Sequence, residues 1–442
     1  MRARAAGLRA ALLAGCLLAA GLTGCGSARD GERVSVLAGW TGQEGADFRA
    51  LLARFTQRTG IAVDYVGTRD AGNVLAAGLK SGDPPDLAVV SDPDDLHDYA
   101  ADGRAIALDD VVGRPALERD YPAQWLELMR AGTPQVHALV VKATTKSLVW
   151  YSPPALRAAG VPVPRDWDDV TALTARARAA GIAPWCLGLE STSASGWPGT
   201  DWIEDLVLHG SGPTAYSDWA RGRLAWTSPE LRTAWQRFGQ VVGGLYGGPR
   251  RALLTGFADA GSPVLAQPPG CLLDHQASFG LLSYGANGKR PGQDFAAVPF
   301  PQLDPRWANA QEVGADFAAL FRSTPQSRQL VAFLAGPDGQ LPSVRTGGSG
   351  PGDRGALSVH RGLAADAYGG NPIAASLAEV LSGRAKPFPD APGVVTLSFD
   401  ASDLMPAAMR TAFYQAVLQF VADPSRLEAI LAQLESVRRH VY

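Results

Sequence analysis

The sequence predicts an α/β fold with a parallel sheet near its N-terminus. Three short β-prone runs, at 34–38, 61–66 and 86–90, alternate with two helical patterns. This alternation is typical of parallel sheets, because each crossover helix returns the chain to the same edge of the sheet. The loops that follow the carboxyl ends of such strands often carry function. Two of these loops contain Trp40 and Asp92.

The helices between these strands are marked by apolar spacing and by glycine stops. Apolar side chains recur at i, i+3, i+4 and i+7 from Phe48 to Phe55, which gives a helix one apolar face. Gly60 follows this pattern, at a position where a glycine commonly ends a helix. A second helix is predicted over 71–80 and ends in the same way at Gly82.

A second α/β body is predicted from two further β-prone runs at 137–141 and 147–151. Helical patterns follow at 167–180 and 230–242. The C-terminal stretch is strongly helical and is divided into two helices at 423–424, where an aspartate precedes a proline.

Composition limits the possible classes of function. The chain has 442 residues, of which 46% are hydrophobic and 19% are charged, so it is long enough for two or more globular domains. Its formal net charge is −3 and it has no dense basic patch. This balance argues against nucleic-acid binding.

The common catalytic and nucleotide-binding motifs are missing from the sequence. It contains no Gly-x-Ser-x-Gly, no His-Glu-x-x-His and no Walker A motif. No catalytic residue, cofactor or metal is therefore predicted. Carboxylates such as Asp201 and Glu204 lie close together in the chain, but sequence does not give the separation that a glycosidase requires.

The N-terminus predicts export. Arg2, Arg4 and Arg9 precede a short apolar run at 12–18, as in a secretory signal. The run is too short and too rich in alanine and glycine for a convincing membrane span.

A cysteine follows this signal in a motif that resembles the lipobox of bacterial lipoproteins, Leu22-Thr23-Gly24-Cys25. The resemblance implies a signal peptide at 1–24, a lipid on Cys25 and a tether at 25–32. Two acyl chains suffice for stable attachment, so the protein is expected on the extracytoplasmic face of the membrane. An ordinary cleaved signal with an incidental cysteine is the alternative.

Two cysteines remain in the body of the chain. Cys186 and Cys271 form an even pair in an oxidising compartment, so a disulfide between them is predicted. Two buried free thiols are the alternative. No histidine or cysteine lies at ligand spacing beside either of them, which argues against a metal site.

An ordered series of motifs across roughly 33–435 resembles the extracellular solute-binding proteins of bacterial carbohydrate ABC importers, the maltose-binding type. One of them, Gly82-Asp83-Pro84-Pro85-Asp86-Leu87-Ala88, resembles the family's Gly-x-Pro-Pro-Asp-Ile/Val-Ala segment. The subgroup for α-glucoside-like sugars is the most similar. The other motifs lie at 40–44, 146–151, 159–162, 165–169, 181–186, 196–202, 271–279 and 314–316.

The resemblance implies a two-lobed, type II periplasmic-binding-protein-like fold with the ligand in a cleft between lobes joined by hinge segments. The N-terminal lobe would comprise 33–142 plus about 310–350. The C-terminal lobe would comprise about 143–309 plus about 351–442. The implied function is capture of a carbohydrate, an oligosaccharide or glucoside, for the permease of an ABC importer. Such a protein is expected to be a monomer without covalent chemistry.

Sugar binding needs aromatic rings for the apolar faces of a pyranose and polar groups for its hydroxyls. Trp197, between a glycine and a proline, and Trp40, just past the first strand, are the predicted stacking platforms. Core packing is the alternative for each of them. Asp201 and Asp92 are predicted to accept hydrogen bonds from hydroxyls. Capping of the next helix is the alternative for Asp92.

Further candidates follow from where the family places cleft residues. His275 and Gln276 follow an apolar run at a strand end, although a histidine satisfied by its local surroundings is the alternative. Glu44 either faces the cleft or caps the first helix. The remaining predicted ligand-binding residues are Gly314, Asp316 and Arg345.

Two other functions remain open at this point. The first is an extracellular glycan-active enzyme, such as a glycosidase. The second is a related binding protein whose ligand is not a sugar, for example a polyamine, peptide or metal complex, because a fold does not fix its ligand.

Overall fold

The computed structural model describes residues 33–285, 288–340 and 357–442. The predicted signal peptide, Cys25 and its tether lie outside the described residues, and so does Arg345. The strands are β1 (Arg33–Ala38), β2 (Ala62–Gly67), β3 (Leu87–Val90), β4 (Ala138–Thr145), β5 (Leu148–Tyr151), β6 (Ala183–Cys186), β7 (Cys271–His275), β8 (Ala296–Pro299), β9 (Ala310–Leu320) and β10 (Thr396–Phe399).

Helices cover both sheets. In the first half of the chain they are α1 (Gly42–Thr59), α2 (Ala71–Ser81), α3 (Pro93–Ala101), α4 (Arg114–Asp120), α5 (Ala123–Met129), α6 (Pro153–Ala158), α7 (Trp167–Ala179) and α8 (Trp197–Ala220). In the second half they are α9 (Pro229–Val242), α10 (Gly248–Leu254), α11 (Gly280–Gly285), α12 (Pro325–Ala335), α13 (Pro337–Gln340), α14 (Pro372–Leu381), α15 (Ala407–Ala422) and α16 (Leu427–Val441). No helix in the described ranges is both long and apolar enough to cross a membrane.

The first sheet is mixed rather than wholly parallel. Its strands lie in the order β10-β9-β3-β1-β2, and β4 also pairs with β9. Strand β1 is parallel to β2 and β3, as the sequence predicts. Strand β9 runs antiparallel to β3 and β4. The expectation of a parallel sheet is therefore confirmed only for the N-terminal strands.

The two helices beside β1 end where the sequence predicts. Gly60 follows α1 with φ 76°, and Gly82 follows α2 with φ 79°. Both values lie in the left-handed region that glycine adopts without a side-chain penalty. The apolar face of α1 is buried, with Phe55 fully buried and Leu52 2% exposed.

The second sheet has the order β6-β7-β5-β8. Cys186 is the last residue of β6 and Cys271 is the first residue of the neighbouring parallel strand β7. Their Cα atoms lie 5.6 Å apart. A disulfide joins them, as predicted. It lies within one sheet and connects no residue of the other.

An aromatic core packs behind the second sheet. Trp202 stands 4.7 Å from Trp185, ring centroid to ring centroid, in an edge-to-face contact. Trp226 makes a similar contact with Phe413 on α15 at 4.8 Å. Edge-to-face geometry matches the quadrupoles of the rings and fixes how the helices pack.

Helix α8 contains a kink with a local cause. Gly212 has φ 89° inside the helix, and a proline follows it. A Cβ at this position would lie 2.6 Å from the ring of Trp307, so both the backbone and the packing require glycine.

Three segments connect the first sheet to the second sheet or to the helices of its core. They are 146–147 between β4 and β5, 300–309 between β8 and β9, and 400–406 between β10 and α15. We call them the crossing segments. Two of them contact each other, because the backbone N–H of Phe300 donates to the carbonyl of Ser147 over 2.9 Å.

The position of β10 corrects part of the predicted division into lobes. Thr396 to Phe399 pair with Ala310 to Val313 of β9, so this strand belongs to the first sheet. The sequence analysis assigned 351–442 as a whole to the C-terminal lobe. It missed this strand because the pairing partner lies more than 80 residues earlier in the chain. Residues 357–381 also belong with the first sheet, because Leu357 bridges to Ala143 of β4 and Nε1 of Trp125 donates to the carbonyl oxygen of Leu381 over 2.8 Å. The other lobe boundaries stay predictions.

Candidate functional site

A buried ionic cluster lies where the crossing segments meet. The Nζ of Lys146 is 3.0 Å from Oδ1 of Asp201 on α8, and it also contacts the carboxylate of Asp400. These two carboxylate side chains are only 3% and 1% exposed. We call Lys146, Asp201, Asp400, Glu204 and Glu312 the crossing cluster.

Carboxylates hold the lysine of this cluster in its charged form. Burial disfavours the ammonium, but the surrounding carboxylates, chiefly Asp201 and Glu312, outweigh it and raise the pKa of Lys146. Burial also disfavours the charged form of Asp201, and it therefore raises the pKa of this carboxyl, while the nearby lysine opposes that rise.

Three carboxylates of the cluster could together hold a metal ion. Oxygen atoms of Asp201, Glu312 and Asp400 lie within 4.8 Å of one another. The ammonium of Lys146 already contacts two of these carboxylates and supplies positive charge there. We therefore assign no metal ligands among these residues.

A second group of charged residues lies at the edge of the first sheet. The Nζ of Lys142 on β4 is 2.6 Å from Oε1 of Glu44 and 3.8 Å from Oδ2 of Asp316 on β9. It also stands 5.7 Å from the ring centroid of Trp40. The structure thus brings three predicted residues together around Lys142, a residue that the sequence analysis missed.

The two tryptophans predicted as platforms differ in exposure. Trp40 is 7% exposed and packs edge-on against Phe48 at 4.8 Å, so most of its ring belongs to the core. Trp197 begins α8 and is half-buried. It contacts two further half-buried rings, Phe257 at 5.1 Å and Phe279 at 5.7 Å between centroids. We call these three rings the aromatic cluster.

The aromatic cluster adjoins the crossing cluster. The Nζ of Lys146 is 5.7 Å from the ring centroid of Trp197, within the range of a cation–π contact. The ring is positioned by Gly196, whose φ is 110° and whose Cβ, if present, would lie 2.4 Å from the carbonyl oxygen of Tyr414. A side chain at 196 would displace the start of α8.

Asp92 caps a helix and also faces the C-terminal helices. Its Oδ1 accepts a hydrogen bond from the backbone N–H of Asp94 at 3.0 Å, at the start of α3. Its Oδ2 lies 3.7 Å from Nη1 of Arg410 on α15. The same guanidinium is 3.8 Å from Asp403. Asp92 therefore caps α3, which is the alternative given above, and it also forms an ion pair with Arg410 that joins α3 to α15.

The structure places His275 in the interior. It is 2% exposed, and its Nε2 lies 2.7 Å from Oδ2 of Asp205. The imidazole packs at 4.7 Å from Trp202, between centroids. This is the locally satisfied histidine that the sequence analysis gave as the alternative, and we leave His275 out of the candidate site.

Gln276 supports the aromatic cluster. Its Nε2 donates to the carbonyl oxygen of Phe257 over 2.9 Å, while its Oε1 meets no donor among the described residues. On the other sheet, Gly314 lies opposite Thr144, whose Oγ1 would be 3.0 Å from a Cβ at 314. The carboxylate of Asp316 accepts a hydrogen bond from the hydroxyl of Ser91.

The arrangement can bind a neutral polyhydroxylated molecule. Half-buried rings offer apolar faces, and carboxylates accept hydrogen bonds from hydroxyl groups. The three rings lie on the side of the second sheet, on α8 and on connections between its elements. Glu44, Lys142 and Asp316 lie on the side of the first sheet. A ligand between them would contact both halves of the molecule.

The model of one protein family, described as bacterial extracellular solute-binding protein, matches residues 39–341. The chain belongs to this family. Like other solute-binding proteins, it has the two-lobed, type II α/β fold, and the family consists of binding proteins rather than enzymes.

Two curated relatives match most of this solute-binding protein. The osmoprotective compounds-binding protein GgtB of Synechocystis sp. is 30% identical over 89% of each chain. The alpha-glucosides-binding periplasmic protein AglE of Rhizobium meliloti is 29% identical. The alignment covers 89% of this chain and 84% of AglE.

Solved structures share the fold. The bacterial solute receptor AcbH, described as preferring β-D-galactopyranose, superposes with a TM-score of 0.75 at 15% identity. The alignment covers 92% of this chain and 99% of AcbH. A chitin oligosaccharide binding protein gives 0.70 at 17% identity, over 92% and 98% of the two chains.

Several residues of the site could not be read from the sequence. Lys142, Lys146 and Arg410 stand out only once their carboxylate partners are known. Lys142 faces Asp316 because β4 pairs with β9, and that register joins positions 174 residues apart. Phe257 begins a single 3₁₀ turn, which is too short for an apolar periodicity, so no local signal marks it.

Proposed function

We propose that this solute-binding protein captures a carbohydrate, an oligosaccharide or a glucoside, outside the cell and delivers it to the permease of an ABC importer. The aromatic cluster beside Lys146 and Asp201 is the observation that carries the proposal. It supplies a stacking surface, and Glu44 and Asp316 at the first sheet, with side chains 35% and 16% exposed, supply the hydroxyl acceptors that a sugar needs. The printed name of AglE, an alpha-glucosides-binding protein, supports an α-glucoside as the first ligand to test.

The charges of the site support a ligand without a negative charge. Two basic side chains near the proposed cleft, Lys142 and Arg410, each have two carboxylate neighbours. Lys142 lies near Glu44 and Asp316, and Arg410 lies near Asp92 and Asp403. An anionic solute would have to displace these carboxylates, whereas sugar hydroxyls can donate to their free lone pairs.

The same excess of carboxylates supports a second candidate class of ligand, a cationic solute. A cationic solute, such as a polyamine, would be attracted by the two carboxylates around each basic group. Stacking on Trp197 separates the two candidates, because a linear polyamine has no ring face to place on the indole.

We propose no catalytic chemistry for the chain. Asp201, which follows Trp197 by about one turn of α8, is almost fully buried and is paired with Lys146. A general acid of a glycosidase must instead reach the glycosidic oxygen and carry a proton. Conversion of a bound sugar to products would overturn this part of the proposal.

The proposal includes the location of the protein. Cleavage before Cys25 and acylation of its sulfur would hold a monomeric receptor at the outer face of the membrane. Its lobes would be divided as predicted apart from residues 357–399, which lie with the first sheet. Mass spectrometry of the N-terminal peptide from the native host tests this. A peptide that begins at Cys25 with diacylglycerol attached is expected, and an unmodified peptide would refute it.

Thermal unfolding with candidate solutes tests the ligand. A ligand at about 1,000 times its Kd stabilises the folded state by about 4 kcal/mol. We expect a shift of the unfolding midpoint with one group of sugars, among α-glucosides, galactose and chitin oligosaccharides. No shift with these sugars, together with a shift with spermidine, would replace the sugar by a cation.

A pair of tryptophan variants tests the site. Trp197→Ala should lose at least tenfold in affinity for the sugar that stabilises the wild type. Trp167→Ala is the matched control, because Trp167 is also half-buried and also begins a helix, but lies outside the aromatic cluster. Equal affinity of both variants and the wild type would refute the assignment.

A further inference from the structure

A cavity lies between α7 and α9, beside the second sheet. Its volume is about 470 Å³, which is within the range of about 300–1,000 Å³ that is typical of small-molecule sites. None of the described residues that line it belongs to the aromatic cluster or to the crossing cluster. We call this cavity the α7–α9 groove. Its lining includes Trp167, Thr174, Arg178, Trp185, Arg237 and Gln240.

One face of each helix builds the groove. The lining positions on α7 are 167, 170, 171, 174 and 178, and this spacing places them on one side of the helix. Positions 237, 240 and 241 of α9 share a side in the same way. These two faces carry two guanidinium groups, whereas the described residues that line the groove include no carboxylate. The groove is therefore positively charged, although the whole chain has a formal net charge of −3.

The burial of Arg237 is not compensated within the fold. Its side chain is half-buried, and it forms no hydrogen bond or ion pair with any residue in the described ranges. Gly210 on α8 makes room for it, because a Cβ there would lie 3.0 Å from Nη1 of Arg237. Burial lowers the pKa of Arg237, and no carboxylate of the described chain opposes this effect. A charge removed from water normally has a partner, and an anion from solution would supply one.

Arg178 brings a second guanidinium to the groove. Its Nη2 donates to the carbonyl oxygen of Gly243, at the end of α9, over 2.9 Å. This bond uses one of the five N–H donors and ties the side chain across from α7 to α9. No carboxylate in the part of the chain that the structure describes pairs with Arg178. By contrast Arg232, which is also on α9, has Glu428 at 2.9 Å.

We propose that the α7–α9 groove binds a small organic oxyanion, which is a phosphate or carboxylate group carried on a short carbon body. Arg178 and Arg237 would supply charge-assisted hydrogen bonds to the oxygens, the strongest kind that a side chain offers. The hydroxyl of Thr174 and the amide of Gln240 add neutral donors. The indole of Trp167 offers an apolar surface for the carbon body.

The size of the groove favours an organic anion over a bare ion. One water molecule takes a share of about 30 Å³ in the liquid, so an ion of similar size would fill little of about 470 Å³. The proposal does not rest on the proposed function, because a sugar at the aromatic cluster and an anion in the groove would contact different residues.

Isothermal titration calorimetry tests the groove without any sugar. We would titrate the secreted chain with Cys25→Ser, at constant ionic strength, with inorganic phosphate, glycerol 3-phosphate and citrate. At least one of the two organic anions should bind one-to-one with a Kd below about 1 mM. Added sodium chloride should weaken this binding. Binding of inorganic phosphate alone would overturn the assignment of an organic ligand.

Substitution of single arginines tests whether the groove is the site. Arg237→Gln should weaken the binding of the anion at least about tenfold, because it removes charge-assisted hydrogen bonds. Arg176→Gln is the matched control, since Arg176 is exposed on α7 and is not among the residues that line the groove. It should bind as the wild type does. Equal affinity of Arg237→Gln and the wild type would overturn the proposal.

Two further measurements distinguish binding from a structural role. The midpoint of thermal unfolding of Arg237→Gln should stay the same or rise, since no partner is lost in the fold. A lower midpoint with unchanged affinity would assign Arg237 to stability and overturn the proposal. Arg178→Gln should also weaken binding, and it replaces Arg237→Gln if that variant does not fold. Trp197→Ala should keep the affinity for the anion, which tests the groove separately from the sugar site.

Vesicles distinguish a lipid headgroup from a free anion. Phosphatidylglycerol carries the same phosphoglycerol group as glycerol 3-phosphate, and phosphatidylcholine vesicles serve as the blank. Sedimentation with phosphatidylglycerol that is lost in Arg237→Gln would identify a lipid headgroup as the source of the oxyanion. Calorimetric binding without sedimentation would identify a free metabolite. The absence of both would overturn the proposal.

Discussion

Replacing Lys146 by methionine should destabilise the protein strongly. The ammonium lies 3.0 Å from Asp201, and at an effective dielectric constant of about 20 their gross attraction is about 5 kcal/mol. Part of this energy offsets the desolvation of both groups. Removal of one partner of a buried ion pair typically costs about 3–5 kcal/mol, because an uncompensated charge remains buried. We expect Lys146→Met to lose about 3 kcal/mol in the free energy of unfolding.

Urea unfolding followed by circular dichroism measures this loss. Lys80→Met is the control, since Lys80 is exposed on α2 and its removal should cost less than about 0.5 kcal/mol. The double variant Lys146→Met with Asp201→Asn should recover part of the stability, because an amide replaces the unpaired carboxylate. A loss below about 1 kcal/mol for Lys146→Met would show that the crossing cluster does not depend on its lysine.

Three further predictions concern stability. Gly212→Ala should cost at least about 2 kcal/mol in chemical unfolding, since φ is 89° and the new methyl group would meet Trp307; an unchanged midpoint would contradict the packing described. Hydrogen bonds from arginines on its own helix lower the pKa of Glu435 to about 2. The contribution of Glu435 to the free energy of unfolding is therefore present above pH 4.5 and is lost as the pH falls towards 2. Glu435→Gln should lack this loss when both proteins are titrated with acid. Replacing Cys186 and Cys271 by alanine should lower the free energy of unfolding by about 2–5 kcal/mol, and a calorimetric scan that matches the oxidised wild type would refute the contribution of the bond.

Local signals were sufficient for much of the fold. Helix α1 ends at the predicted glycine, and helix α2 begins and ends close to the predicted positions, because apolar spacing and a terminal glycine depend only on neighbouring residues. The disulfide was also predictable, because two cysteines remain in the body of a chain that is expected in an oxidising compartment. Strand β9 was missed, because its composition contains few β-branched residues and its place depends on pairing with β3 and β4.

The candidate site was only partly predictable. Trp197 and Asp201 lie together at the start of α8, because both belong to one local motif, and their role in binding stays a prediction. His275 was chosen for its place at a strand end, but strand ends are occupied both by cleft residues and by buried ones. Whether a side chain there is exposed depends on what packs over it, in this case Trp202 and Phe300.

One helix carries both the stacking ring and the acids of the crossing cluster. Trp197, Asp201, Glu204 and Asp205 recur at i, i+4, i+7 and i+8 along α8, so they share one face over about 12 Å. The kink at Gly212 separates this stretch from the rest of the helix. The first turns of α8 therefore form one rigid element, with the indole ring proposed for stacking at one end and the buried acids beside the crossing segments at the other. No loop lies between them.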